Sequence, residues 1–103
     1  MVIRRGDVFW VKFRDGRRPG AIITRDSAID LLHRIAVVPA TTTIRSSPTE
    51  VRLGTQDGMP TDCALTIDNV RVVPKAWLGG RITTLSPARL EEICDKLAYA
   101  FGC

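Results

Sequence analysis

The sequence predicts a small, mainly β domain closed by one C-terminal helix. The chain has 103 residues, enough for one hydrophobic core and not for two. Between residues 7 and 85, apolar and β-branched residues fall in short runs broken by Gly, Pro, Asn and Asp, the pattern of short strands joined by turns. From residue 86 the apolar spacing becomes helical. Together these describe a compact, strongly bent sheet or small barrel of mostly antiparallel strands plus a helix. No repeat, low-complexity stretch or linker interrupts the chain, so residues 1–103 are expected to form a single domain.

Residues 7–13, Asp-Val-Phe-Trp-Val-Lys-Phe, are aromatic and β-branched and read as the first strand. Asp15-Gly16 is a turn signal. Pro19-Gly20 suits a strand entrance better than an interior, so the second strand is placed over 21–24. Residues 26–32 suit a single helical turn capped by Asp26 or Ser27. The mostly apolar run 33–41 reads as a strand buried on both faces and ending near Pro39. A polar loop follows over 41–48, then an alternating, half-exposed strand over 50–53 and a turn-rich loop over 54–60. Residues 63–67 and 70–74 give two more strands with Asp68-Asn69 between them, and 81–85 a last one after Gly79-Gly80. In the helix, Ser86 is the N-cap and Pro87 the first residue, with Leu85 and Leu90 placed for a hydrophobic staple. Leu90, Ile93, Cys94, Leu97 and Phe101 form one apolar stripe that packs on the sheet.

Hydrophobic residues make up 45% and charged residues 25%, an ordinary soluble composition. No apolar run approaches the length of a membrane span. Met1-Val2-Ile3-Arg4-Arg5 has no apolar stretch behind it, so no secretory signal is expected and a cytoplasmic location is. The net charge is +4 and the sequence pI about 9.4. The excess lies in residues 1–50, with nine Lys/Arg against five Asp/Glu, while residues 51–103 balance at six and six. Arg14, Arg17 and Arg18 cluster, which suits a polyanion such as nucleic acid and equally a solvated turn. Cys63, Cys94 and Cys103 show no metal-ligand spacing. Cys63 and Cys94 read as core residues and Cys103 as an incidental terminal thiol. His33 is the only histidine. Neither a metal nor a cofactor is expected.

Five segments, in order, resemble the MazF/PemK/Kid toxins. Arg5-Gly6-Asp7-Val8-Phe9-Trp10 resembles the family's opening strand, and Arg18-Pro19 its Arg-Pro before an apolar second strand. Val37-Val38-Pro39-Ala40-Thr41-Thr42 resembles its apolar strand ending in Pro and Thr, and Asp68-Asn69 falls where the family often has Asp-Gln. Arg81 onward resembles its closing strand and helix. Each motif is weak alone, but together they cover essentially the whole chain. The resemblance implies an SH3-like, barrel-like sheet and a homodimer. It also implies metal-independent, sequence-selective cleavage of single-stranded RNA and inhibition by a small, acidic cognate antitoxin.

The chemistry fits the residues. RNA carries its own nucleophile in the 2′-OH, so the protein must supply a base, charge for the developing phosphorane and an acid for the leaving oxygen. The planar guanidinium of Arg18, which matches the family's catalytic arginine, can hold two phosphate oxygens. It cannot act as a base, because arginine stays protonated. Thr41 matches the family's catalytic threonine and can give one hydroxyl bond to the same phosphate, although a strand-end threonine also often caps the next turn. Asp68 is the candidate base by resemblance, and Asp-Asn is equally a good turn dipeptide. His33 is the alternative base on chemistry, but its place at a strand start reads as structural. Arg14, Arg17, Thr42, Arg45, Ser46 and Asn69 are candidates to track the RNA. Phe13 or Trp10 offers a stacking face, and Trp10, inside a strand, is expected in the core.

Two departures from the family stand out. The connection Arg14-Asp15-Gly16-Arg17 is short where relatives usually have a longer loop, and Asn69 replaces the usual Gln. Two other readings compete: a non-catalytic SH3-like binding module, and a gyrase-poisoning toxin of the same fold. Retention of Arg18-Pro19 and Thr41 favours the nuclease.

Overall fold

A computed structural model describes residues 2–102, and Cys103 lies outside the described residues. The elements are β1 (Asp7–Phe13), β2 (Gly16–Ile22), α1 (Asp26–Ile29), β3 (Arg34–Thr41), β4 (Glu50–Leu53), β5 (Cys63–Thr66), β6 (Arg71–Pro74), β7 (Leu78–Thr84) and α2 (Pro87–Phe101). All strands belong to one antiparallel sheet ordered β4-β5-β3-β2-β1-β7, with β6 paired to β3 off this path. No pairing joins β4 to β7 among the described residues, so the sheet stays open where a closed barrel would seal it.

β3 is the spine. One edge pairs with β2 through Val37–Pro39; the other pairs first with β6, through Arg34–Val37, and then with β5, through Ala40 and Thr41. Successive residues of a strand point to opposite faces, and β1 uses both. Val8 enters a core cluster with Val38, Val51, Leu65 and Ile93, while Phe9, Val11 and Phe13 enter a second one with Ile22, Ile35 and Val37.

The Arg-Gly-Asp opening is structural. Asp7 is buried, and its carboxylate accepts from Arg4 N at 2.9 Å and Thr84 Oγ1 at 2.7 Å, and pairs with Arg81 at 3.4 Å. Gly6 has φ 92° and lies so close to α2 that an added Cβ would meet Leu90 at 2.9 Å.

Several boundaries differ from the sequence reading, each for a local reason. β2 begins at Gly16 and stops at Ile22, where 21–24 was expected. Its first half pairs only with β1, Pro19 facing Trp10, so the missing proline N–H interrupts no ladder to β3. β3 runs through Pro39 to Thr41, and the Pro39 carbonyl accepts from Thr66 Oγ1 at 3.0 Å. α1 is shorter than expected and its N-cap is Arg25, with no side-chain cap; Asp26 instead accepts from Arg5 N at 2.7 Å. In β4 only Arg52 is exposed, because the Glu50 carboxylate turns inward to accept from the Arg45 and Ser47 backbones, at 3.1 Å each. β7 takes in Gly79 and Gly80, which were expected to precede it.

α2 follows the expected design closely. Ser86 Oγ accepts from Arg89 N at 3.3 Å, Pro87 opens the helix and Gly102 closes it at φ 71°. Ile93 is buried and Leu97 and Ala100 pack beside it on the cluster under β4. Phe101, expected in the stripe, is 56% exposed; Ala100 takes the inward position. No helix among the described residues is long and apolar enough to cross a membrane.

Candidate active site

The register of β2 and β3 creates the cleft. The strands pair at Gly20↔Pro39, but beyond that point Arg18 and Pro19 pair only with β1 while Ala40 and Thr41 pair with β5. The opening is a cleft of about 320 Å³ with Arg17, Arg18, Thr41 and Thr42 on its rim. Its walls are largely apolar: Trp10 and Pro19 on one side, Met59, Pro60 and Cys63 on the other.

Thr41 Oγ1 accepts a hydrogen bond from Thr43 N at 3.1 Å. The turn-capping role common to strand-end threonines is therefore real, but it occupies an oxygen lone pair and leaves the hydroxyl proton to be donated. Arg17 lies over the Trp10 ring at 4.8 Å, a cation–π contact. Trp10 is half-buried and lines the cleft, where a core position was expected. Phe13, in contrast, is buried beneath Arg18 and Arg71, whose guanidinium carbons lie 5.7 and 5.1 Å from its ring centre.

Arg18 ion-pairs with Asp15, three residues back on the hairpin turn. Arg71, from β6, donates to the same carboxylate at 3.1 and 3.4 Å. These bonds from Arg71, reinforced by the charge of Arg18, hold the Asp15 carboxyl below its ordinary range. The turn itself is tight: Phe13 faces Gly16 across two residues, Arg14 and Asp15, and Gly16 takes φ 129°. The Cys63 thiol moves the other way. Burial pushes its pKa up, and the Asp57 and Asp62 charges add to this, so it sits protonated in the cleft wall and is no nucleophile at neutral pH.

The remaining sequence candidates lie elsewhere. Arg45, Asp68 and Asn69 share a separate hollow of about 250 Å³ with Ser47, Thr49 and Thr66. There Asp68 Oδ2 accepts from Thr49 Oγ1 at 2.6 Å. Ser46 is exposed in the adjoining loop, in left-handed conformation at φ 56°. Arg14 borders a groove on the far side of Trp10, beside Lys12 and Trp77. His33 is exposed just before β3, at the end opposite Thr41, roughly 26 Å away along an extended strand. The structure thus brings Arg17, Arg18, Thr41 and Thr42 together and sets Asp68 apart from them. Sequence reasoning missed Asp15, which reads as a turn residue but pairs with Arg18 three positions on, Arg71, which reaches Asp15 only because the fold brings distant strands together, and the Met59–Cys63 wall. No group of three His, Cys, Asp or Glu side chains that could hold a metal occurs among the described residues.

Comparison with known proteins agrees over nearly the full length. The family model described as PemK-like, MazF-like toxin of type II toxin-antitoxin system matches residues 4–101. The Mycobacterium tuberculosis protein named "Probable endoribonuclease MazF2" is 36% identical over 102 residues, covering 98% of this chain and all of the relative. "Probable endoribonuclease MazF5" of the same species is 40% identical over 101 residues, covering 96% and 93% of the two chains. Among solved structures, the Mycobacterium tuberculosis toxin MazF-mt6 superposes with a TM-score of 0.87 at 27% identity, covering 93% of this chain and 96% of that one. A mycobacterial endoribonuclease in complex with its cognate antitoxin gives 0.89 at 29%, covering 98% and 96%.

Proposed function

This chain belongs to the PemK-like, MazF-like toxins of type II toxin–antitoxin systems, and from that premise we propose that it is an endoribonuclease that cuts single-stranded RNA at the Arg18–Thr41 cleft. The observation that carries the reading is the convergence of these two side chains, from β2 and β3, on one cleft with apolar walls. In the reaction, the 2′-oxygen attacks the adjacent phosphorus as its proton passes to a base. The bond to the 5′-oxygen breaks, that oxygen takes up a proton, and a 2′,3′-cyclic phosphate and a 5′-OH remain. Arg18 neutralises the charge that builds on the phosphorane, and Thr41 donates its hydroxyl proton to a phosphate oxygen.

Arg17 and Thr42 hold the strand at the cleft rim, with Arg14, Arg45, Ser46 and Asn69 contacting its continuation. Asp68 is the carboxylate assigned as base, and its place in a separate hollow makes Asp68→Asn the sharpest test of that assignment. Single-stranded loops with unstacked bases are the natural substrate of such a cleft, since its aromatic and apolar walls suit a splayed base. The protein acts in the cytoplasm, pairs with a second copy of itself and is inhibited by a small acidic antitoxin, for which its net charge of +4 is complementary.

The test is incubation of the purified protein with a long single-stranded RNA in EDTA, followed by sequencing of the fragment ends. Wild-type protein cuts at a short recurring motif and leaves 5′-OH ends, and Arg18→Ala does not. Intact RNA after exposure to excess wild-type protein, or equal cutting by Arg18→Ala, defeats the reading. Cleavage that survives Asp68→Asn removes Asp68 from the mechanism and leaves Arg18 and Thr41 in it.

A further inference from the structure

We propose that Arg71 joins Arg18 in a two-guanidinium clamp for the RNA backbone, and that Asp15 fills this clamp in the free protein and is displaced by a phosphate when RNA binds. The proposal rests on the RNA-cleaving reading above and adds to it a binding residue and a built-in competitor.

Three observations carry it. First, one carboxylate is shared by two guanidiniums from different strands: Arg18 contacts Asp15 Oδ2, while Arg71 reaches Oδ1 at 3.1 Å and Oδ2 at 3.4 Å. A phosphate offers the same paired oxygens to an arginine fork, with more charge. Second, both guanidiniums rest on the Phe13 ring, at 5.7 and 5.1 Å from its centre. That ring is 3% exposed and fixed in the core, so the platform survives when the carboxylate leaves. Third, the cluster is open to solvent. The Asp15 side chain is 51% exposed and that of Arg71 37%, so RNA can reach it, and exposed ion pairs of this kind cost little to break. Arg18 also forms part of the rim of the cleft, so the clamp adjoins that site through a shared residue.

The electrostatics agree. With Asp15 in place the three side chains carry a net single positive charge; with Asp15 displaced they present two to the RNA. The depressed Asp15 pKa means that the carboxylate stays ionised throughout the neutral range, so the competition is present whenever the enzyme works.

The test uses the full-length protein and a mixed-sequence single-stranded RNA carrying 2′-O-methyl groups, which binds but lacks the free nucleophile. Arg71→Ala is expected to weaken binding about tenfold and to flatten the plot of log affinity against log salt by about 0.7, one phosphate contact on a single strand. On cleavable RNA its loss falls mainly in KM, whereas that of Arg18→Ala falls in kcat. Arg71→Lys restores the salt slope but not the full affinity, because a point charge replaces a fork. Asp15→Asn is expected to tighten binding several-fold with the melting temperature unchanged. Arg71→Ala binding with wild-type affinity and slope overturns the clamp. Asp15→Asn weakening the binding of a folded protein shows Asp15 to be a support and not a competitor, and overturns the displacement. Failure of the RNA reading itself is a separate result: wild-type protein would then neither bind nor cut.

Discussion

Arg89 on α2 donates from Nε to Asp57 Oδ1 at 2.9 Å, while Asp57 Oδ2 accepts from Gly54 N, also at 2.9 Å. One carboxylate thus closes the 3-10 turn Thr55–Asp57 and fastens it to the C-terminal helix. The turn leads directly into Met59 and Pro60 of the cleft wall, so a stabilising contact outside the site fixes one side of it. The Arg89 bond, and behind it the Gly54 amide, hold the Asp57 carboxyl below its ordinary range. A carboxylate depressed in the folded state contributes stability above its unfolded pKa and loses it as pH falls through the folded value. Asp57→Asn is therefore expected to cost about 1–2 kcal/mol at pH 7. The gap to wild type should close below about pH 4. Urea denaturation across that range measures it, and a pH-independent gap contradicts the assignment.

At the cleft, Thr41→Val keeps the shape and deletes the hydroxyl. A single bond to a charged phosphate is worth about 1.5–3 kcal/mol, so kcat/KM should fall roughly ten- to a hundredfold. Arg18→Ala should cost about 10²–10³. Steady-state cleavage of a fluorogenic oligoribonucleotide compares the two, and a larger loss for Thr41→Val would make the threonine the principal stabiliser and the arginine its helper.

Gly6 answers to both backbone and packing. An alanine there must hold φ 92° and push into Leu90 at 2.9 Å. Gly6→Ala should lose about 1–3 kcal/mol of stability, read as a lowered denaturation midpoint with an unchanged m-value. Leu90→Ala in the same protein relieves the contact but not the φ, so it should return only part of the loss beyond its own cost.

Glu50 organises the loop between β3 and β4 through the Arg45 and Ser47 backbones. Its removal in Glu50→Ala leaves those N–H groups without their acceptor, at about 1–3 kcal/mol. The amides of Arg45 and Ser47 should then exchange with solvent much faster while those of β1 and β2 do not. Uniform acceleration across the sheet would instead mark global destabilisation.

How far the sequence is legible follows the range of the interactions. α2 reads with its N-cap and first residue in place, because Ser86, Pro87 and the spacing of Ile93 and Leu97 act within a few residues. β1 reads by composition. β2 does not: Arg17, Arg18 and Pro19 look like a turn in one dimension and become a strand only because β1 supplies Trp10, Val11 and Lys12 as partners. Glu50 looks exposed in sequence because its buried acceptor role depends on a loop that curls back over it. At the site, Arg18 and Thr41 stand out through family resemblance, and the structure places both on one cleft. Arg71 carries no local signal, being 56 positions from the Asp15 it meets. Asp68 matches a motif in sequence, yet its neighbours in space are Thr49 and the loop before β4.

The stacking of Arg17 on Trp10 has an optical consequence. Of the chain's two tryptophans, Trp10 lines the cleft beneath a guanidinium, while Trp77 borders the groove on its far side. Indole emission responds to nearby charge and to a stacked base, so occupation of the cleft changes the protein's own fluorescence. With Trp77→Phe as the background, the molecule carries a single built-in reporter, and binding can be followed in real time without a dye.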